Sequence, residues 1–588
     1  MTEHFVYAPT GWRQWLPGGF NVALLTIAMP LLLTYLITLW NSTSLPGNAG
    51  PLKRPRTVPY MLPNLGHGLA WGLRGTEFLH ENAVKFGRKT LHKIVLPGLD
   101  QYVTTSPEHV RRVFRAEKMG MTESHTRAME KSFGMSPKAV ELYRADDSGY
   151  GPSPAPGSAV EPGDRILLEI HNLVNRNLTG ASLATITAQF QTTLAEQLSE
   201  LDTIGDEWVE IPDLNAFMRT HIMKAALTAM FGPHLIDLNP TFVDDFWVYN
   251  ADIGPLYMGL PQWLIPGAYR RREKMLQSIM RWHKFAHEHY DCSNVGEQDT
   301  DWEPYFGSKF SRRRQNTFAK WEVMDAKAKA AEDLSFIWAS NANSGFAAIW
   351  FLLEILRDPT LMARVQKEFS PAIQPPLAPC KVPTFDIDKL CSGPLCQSIY
   401  AEVLRLRVAL LVSRKAKEDL NFDGWRIREG ERVAVATCNE ALDEVVWNSG
   451  TESDPHPLKT FWADRFLIYP GDENSGPLRK RLSTATKKTT TENGDPESSA
   501  TPKFSMEGLT NSWIPYSGGV RHCPGRHFAK QEMIVMAAMM TAAFEIELQT
   551  ESGWEPENDL GYFGFGSMPP KGKIPCRMRR RSTQSWPV

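Results

Sequence analysis

Cysteine is scarce in this chain of 588 residues: there are seven, at Cys292, Cys380, Cys391, Cys396, Cys438, Cys523 and Cys576. The odd number and wide spacing speak against a disulfide scaffold, and no Cys-x-x-Cys or His/Cys cluster has zinc-ligand spacing. Reduced thiols suit a body facing the cytosol, where a free thiolate can bind metal. An excess of either charge is missing too. With 64 basic and 66 acidic residues the formal net charge is -2, so there is no overall basic field. No common nucleic-acid-binding spacing occurs, and nucleic acid is not an expected partner. What remains is a globular composition, 42% hydrophobic and 22% charged, long enough for one very large core or several ordinary domains.

Charge is absent altogether from residues 20–40, FNVALLTIAMPLLLTYLITLW, a run long enough to cross a hydrocarbon core as a helix. A cleaved signal peptide and a buried core helix are the alternatives. The run is longer than a usual signal core, its N-terminal flank is not basic, and residues 44–50 offer no convincing cleavage site. Lys53, Arg54 and Arg56 follow the run, which by the positive-inside tendency puts the long body in the cytosol. The expected order is a short lumenal N-terminus (1–19), a transmembrane anchor (20–40), a linker (41–64) and the body (65–588). Prolines at 46, 51, 55, 59 and 63 make the linker extended and fairly stiff.

Beyond the linker the pattern is mainly helical, with amphipathic stretches at 183–201 and 330–357 and short strand-like pieces such as 432–437. The fold class expected is mainly α with small β-sheets. Residues 146–163, rich in Gly, Pro and Ser, read as a loop. Residues 471–501 contain almost no large apolar residue and read as an insertion that cannot bury a core.

The strongest local signal runs from Tyr516 through Gly519, Arg521, Cys523 and Gly525 to Glu532, followed by an apolar helix. Glycines let the backbone approach a flat ligand and aim N–H groups at a sulfur, and Arg521 can meet a carboxylate. At a helix start, the dipole and donated hydrogen bonds favour a thiolate. A lone cysteine is more often a small buried residue. With this spacing, however, the segment closely resembles the haem-binding loop of the cytochrome P450 family, Phe-x-x-Gly-x-Arg-x-Cys-x-Gly, with Tyr516 in place of the phenylalanine. The resemblance implies that Cys523 is the thiolate ligand of a haem b iron, with Tyr516, Gly519, Arg521 and Gly525 around the cofactor.

The resemblance extends over most of the body. Glu402 and Arg405 match the family's Glu-x-x-Arg helix, and Phe461 to Phe466 resembles its Pro-Glu-Arg-Phe segment, with Ala463 and Asp464 as substitutions. By that resemblance Arg465 completes a buried structural triad with Glu402 and Arg405, and Arg414 matches an arginine that meets a haem propionate in many relatives. The oxygen-side helix departs from the family. Where most members carry an acid-threonine pair, this chain has Ala342-Asn343, within a polar patch from Ser340 to Ser344 in an apolar helix. Buried polar groups are costly unless used. Either a local distortion opens them toward a ligand, with Asn343 and Ser344 in catalytic roles, or they bond the preceding helical turn.

The helix at 337–350 looks like that of the sterol 7- and 12-hydroxylase and prostacyclin synthase branch, and residues 564–573 resemble fungal relatives of that branch. The implied activity is monooxygenation of a small lipophilic substrate, sterol- or terpenoid-like, with O2 and electrons from NADPH through NADPH-cytochrome P450 reductase, at the endoplasmic reticulum membrane. A haem-thiolate isomerase or dehydratase acting on a lipid peroxide, and a non-catalytic haem- or lipid-binding protein, are the rival readings.

Overall fold

In the computed structural model the described residues are 18–43, 52–87, 90–104, 106–115, 118–293, 295–479 and 501–581, with side chains in the first helix described from residue 26. Residues 1–17, part of the expected linker (44–51) and most of the expected insertion (480–500) lie outside them.

The uncharged run forms one helix, Gly18–Thr43. Ile27, Met29, Leu32, Leu33, Leu36, Ile37 and Trp40 on it are exposed. Among the described residues no helix is long and apolar enough to cross a membrane; residues 20–25 of the expected span have no described side chains. Thr38 ties this helix to the chain beyond it, accepting from the Tyr60 N–H at 3.1 Å and donating to the Tyr60 carbonyl at 3.0 Å. The proline-rich stretch is extended around Arg56–Thr57, which adds a parallel edge strand beside Leu91–Ile94, and it ends in a turn, where the Gly66 N–H donates to the Leu62 carbonyl at 2.9 Å.

Helices build most of the body. The longest, Ala326–Leu356, runs 31 residues, about 46 Å at the usual helical rise. It begins where the Asp325 side chain accepts from the Ala328 N–H at 2.7 Å, an N-cap. It stops before Asp358-Pro359, since proline cannot continue it. Around it pack the helices Leu214–Phe231, Pro266–His289, Pro394–Arg407 and Arg526–Ala543. Residues 532–543 of the last are buried all round, as a helix in the middle of a large core must be.

The main sheet is mixed. Its order is Arg56–Thr57, Leu91–Ile94, Gln101–Thr104, Arg432–Ala436, Val408–Ala416 and Phe565–Ser567, with Met119–Gly120 on the far end of the long strand. In register, Arg414 lies opposite Val433 and Leu410 opposite Phe565. This strand thereby carries residues of three distant segments to one place beside the long helix.

The Gly, Pro and Ser-rich stretch 146–163 is a loop, as its composition suggests, but a tightly held one. The buried Arg165 gathers the carbonyls of Gly149, Gly151 and Pro152 at 2.8–3.2 Å and the Ser148 hydroxyl at 3.1 Å. One guanidinium with five donors can organise that many acceptors.

Candidate active site

Cys523 lies one turn before the helix Arg526–Ala543, in a loop fixed by backbone geometry. Its N–H donates to the Tyr516 carbonyl at 3.0 Å, and its own carbonyl accepts from Arg526 at 2.9 Å. Burial pushes the thiol pKa up, while the Gly525 and Arg526 N–H groups and the Arg526 charge act the other way. Gly519 has φ +71°, and a Cβ there would sit 2.2 Å from the Phe114 carbonyl oxygen, so both conformation and space demand glycine. Gly525 is different. A Cβ there would meet only ordinary contacts, at 3.8 Å from the Cys523 Sγ and 3.9 Å from Leu178, so no protein atom requires glycine at that position.

Two guanidiniums at the loop have no carboxylate partner among the described residues. Arg414 is 7% exposed, and among the described residues its hydrogen bond is to the Ser413 carbonyl, at 3.2 Å. Arg521 lies over the ring of Tyr150, 3.7 Å from its centroid. Burial and the Arg521 charge push the Arg414 pKa down to about 10, and burial lowers Arg521 as well. His125, pushed down to about 4 by burial and by Arg521, leaves Nε2 buried without a partner. Two like charges buried side by side are unfavourable unless an anion joins them. Tyr150 and His125 carried no motif. Tyr150 reaches the site because Arg165 holds its loop, and only the wish of a buried arginine for an aromatic face could have hinted at it.

The expected triad is assembled. Glu402 accepts from Arg405 Nε at 2.7 Å and Nη2 at 2.8 Å, and from Arg465 Nε at 2.9 Å. Burial works to raise the Glu402 pKa, but the two arginines outweigh it and hold the carboxyl below the usual carboxylate range. The spare donors of Arg405 reach the carbonyls of Ala441 and Leu458, each at 2.8 Å or less. Two residues before Glu402, the Tyr400 hydroxyl meets that of Tyr516 at 2.9 Å. The helix that holds the triad is thus tied directly to the cysteine loop.

On the long helix the expected distortion does not occur. Helical geometry is continuous through the polar patch, because its side chains bond the preceding turn: Ser340 to the Phe336 carbonyl at 2.8 Å, Asn341 to Ile337 at 2.9 Å and Ser344 to Ser340 at 2.8 Å. Asn343 is the exception. Its Oδ1 accepts from the Ser567 N–H at 2.9 Å, which fixes the amide's orientation at the cavity wall. A Cβ at Gly566 would lie 1.9 Å from that oxygen.

Three adjoining cavities share Asn343 and Phe565. One, of about 400 Å³, has Cys523, Arg521 and Ser344 in a mainly apolar wall. The second, about 620 Å³, extends among Trp71, Phe133, Tyr257 and Trp338. The third, about 230 Å³, lies by Asn250 and Tyr562.

A sulfur in an apolar wall, a glycine spared by every protein atom and two buried cations lacking a carboxylate fit a flat, metal-bearing ring with two carboxylates. Fold and site together fit a haem-thiolate protein. The chain belongs to the cytochrome P450 family: the model described as Cytochrome P450 matches residues 156–457 and 495–576. It is similar to the cytochrome P450 monooxygenase efuG of Hormonema carpetanum, at 38% identity over 97% of this chain and 98% of that protein. More distant are the cholesterol 7-alpha-monooxygenase of Cricetulus griseus, 26% identical over 87% of this chain and 91% of the other, and the prostacyclin synthase of Bos taurus, 27% identical over 44% and 46%. In fold it matches the retinoic acid-bound cyanobacterial CYP120A1, with a TM-score of 0.59 and 16% identity, covering 90% of this chain and all of the other. The chain is a cytochrome P450 monooxygenase, and that membership implies haem, O2 and an electron-donating partner.

Proposed function

We propose that this monooxygenase oxygenates a bulky lipophilic molecule of sterol or terpenoid type in fungal secondary-metabolite or sterol biosynthesis. Its helix Gly18–Thr43 anchors it in the endoplasmic reticulum membrane, and NADPH-cytochrome P450 reductase supplies electrons. The observation that carries the substrate class is the set of joined cavities, walled by Phe133, Tyr257, Trp338, Phe346 and Phe565, large and apolar enough to enclose a rigid polycyclic skeleton. The similarity to a cholesterol 7-alpha-monooxygenase and the exposed apolar side chains of the first helix support it.

In this reading Cys523 holds the haem iron through its sulfur, and the N–H groups of Gly525 and Arg526 stabilise negative charge there. Arg414 and Arg521 hold the two propionates, with Tyr150 packed on one guanidinium. When bound, the haem supplies reductive activation of dioxygen and insertion of one oxygen atom into the substrate. The Asn343 nitrogen offers the cavity a fixed donor, able to orient water or a substrate oxygen. The apolar walls keep bulk water away.

The test is to express the full chain with a reductase in microsomes and feed sterols and terpenoids. Gain of a single oxygen, dependent on NADPH, is expected. Turnover of a lipid hydroperoxide without NADPH or reductase would instead favour isomerase or dehydratase chemistry. Binding of haem without oxygen gain by any lipid would favour a carrier.

A further inference from the structure

The cavity of about 620 Å³ is bounded at one end by the main sheet, where Leu99, Gln101, Leu411 and Ser413 line it. Side chains alternate across a strand, and the register sets Gln101 and Ser413 on one face: Ser413 lies opposite Ala434, Ala434 beside Val103, and Val103 is two residues from Gln101. Leu410, three residues before Ser413, borders the Cys523 cavity as well. At the usual rise of a strand, Ser413 therefore lies about 10 Å further from that junction.

The Gln101 amide is out of keeping with such an enclosed place. The residue is 1% exposed, and neither Oε1 nor Nε2 has a partner among the described residues. The Ser413 hydroxyl is likewise enclosed without one. An amide in that condition has given up its bonds to water and gained none in return, which is unfavourable. Other polar groups around the same cavity are engaged: the Trp338 N–H donates to Asn250 at 2.8 Å, and the Asn343 oxygen accepts from Ser567 at 2.9 Å.

Among the described residues no charged side chain lines this cavity. Arg432 and Lys415, the cations on the same sheet face, are both paired with Glu123. A carboxylate or phosphate would arrive there without a counter-charge. A neutral group suits the place, and an alcohol suits it better than a ketone. Its O–H can donate to Oε1 while its oxygen accepts from Nε2, whereas a ketone can only accept.

We propose that Gln101, assisted by Ser413, recognises a hydroxyl group on the substrate, at the end of the skeleton remote from the carbon that is oxygenated. This rests on the reading of the substrate as a bulky sterol or terpenoid, and within that class it names a polycyclic alcohol. Holding the hydroxyl at the sheet sets the long axis of the skeleton, which then passes Asn343, Leu410 and Phe565, the residues common to both cavities. The far end alone reaches the Cys523 cavity, so the position of the hydroxyl selects the carbon attacked.

The test uses the full-length, haem-loaded protein and reads binding as the change in haem absorption during titration. The probes are cholestanol, cholestanone and cholestane, with friedelanol, friedelin and friedelane as the matching alcohol, ketone and hydrocarbon on a terpenoid skeleton. On at least one skeleton the alcohol is expected to bind about tenfold or more tighter than the hydrocarbon, with the ketone between them. Gln101→Leu is expected to bind alcohol and hydrocarbon nearly equally, and to raise the unfolding midpoint, because an unpaired amide leaves an enclosed place. If Gln101→Leu fails to bind haem, Ser413→Ala decides by narrowing the same preference; it keeps the Ser413 carbonyl to which Arg414 donates. Equal affinity of alcohol and hydrocarbon in the wild type, or a preference unchanged in the variant, overturns the proposal and leaves the substrate class standing. Absence of any spectral change with every probe overturns the substrate class and the proposal with it.

Discussion

At the scale of single residues, the site is decided by what each side chain is denied. Cys523 has backbone N–H groups but no protein cation of full charge on its sulfur apart from Arg526. Replacing it with alanine should abolish the thiolate-type carbon monoxide spectrum of the reduced protein, and a surviving spectrum would refute the ligand assignment. Asn343 is denied a free amide oxygen, because the Ser567 N–H holds it. Gly566, at φ +140°, gives that oxygen its room. Gly566→Ala should cost about 1–3 kcal/mol from the backbone conformation alone, with the collision against Asn343 added, read as a lowered unfolding midpoint. Asn343→Ala in the same chain should recover the part due to collision and leave the part due to the backbone.

Among elements, the decisive unit is the pair of helices that bracket the cavity together with the helix Pro394–Arg407, whose glutamate joins them to the loop at Arg465. Removing the Glu402 charge leaves two enclosed arginines unpaired, so Glu402→Gln should cost on the order of 3–5 kcal/mol, measurable in a denaturant titration. The sign of the pH effect follows from a folded-state pKa held below the ordinary 4.5. Stability from this group is fully present above about 4.5 and is lost as pH falls through the lower folded value. The wild type should therefore lose stability in that acid window, and Glu402→Gln should lose less there. An equal acid slope in both proteins would show that Glu402 is not the group responsible.

For the whole molecule, the exposed apolar residues of Gly18–Thr43 and the joined cavities belong to one reading, in which a lipophilic substrate and the protein share a membrane. Deleting residues 1–43 should leave the carbon monoxide spectrum intact and release the protein from sedimenting membranes, as a fractionation and a spectrum on the same sample would check. Retention on membranes would move the anchoring role to the body. The two arms are separable because the haem-side residues all come from position 114 onward.

Cys523, Arg521, Glu402, Arg405 and Arg465 were singled out by the resemblance of three short segments to the family's motifs, which is legible in sequence because a loop and an i, i+3 pair are local patterns of residue type and order. The mainly helical fold and the loop at 146–163 were legible for the same reason: periodicity and composition act over short distances. Tyr150, His125 and the Tyr400–Tyr516 pair were not, because each reaches the site only when segments far apart in sequence pack together. The fate of the polar patch was likewise undecided by order alone. Ser340, Asn341 and Ser344 could open a helix or bond its previous turn, and the choice depends on what stands opposite. The neighbouring backbone at Gly566 and Ser567 claims Asn343, and the preceding turn claims the Ser344 hydroxyl. The sequence by itself determined which atoms can ligate, pair and cap. Tertiary structure alone decided which of them are shut away from water and from partners, because burial and the proximity of distant segments are properties of packing.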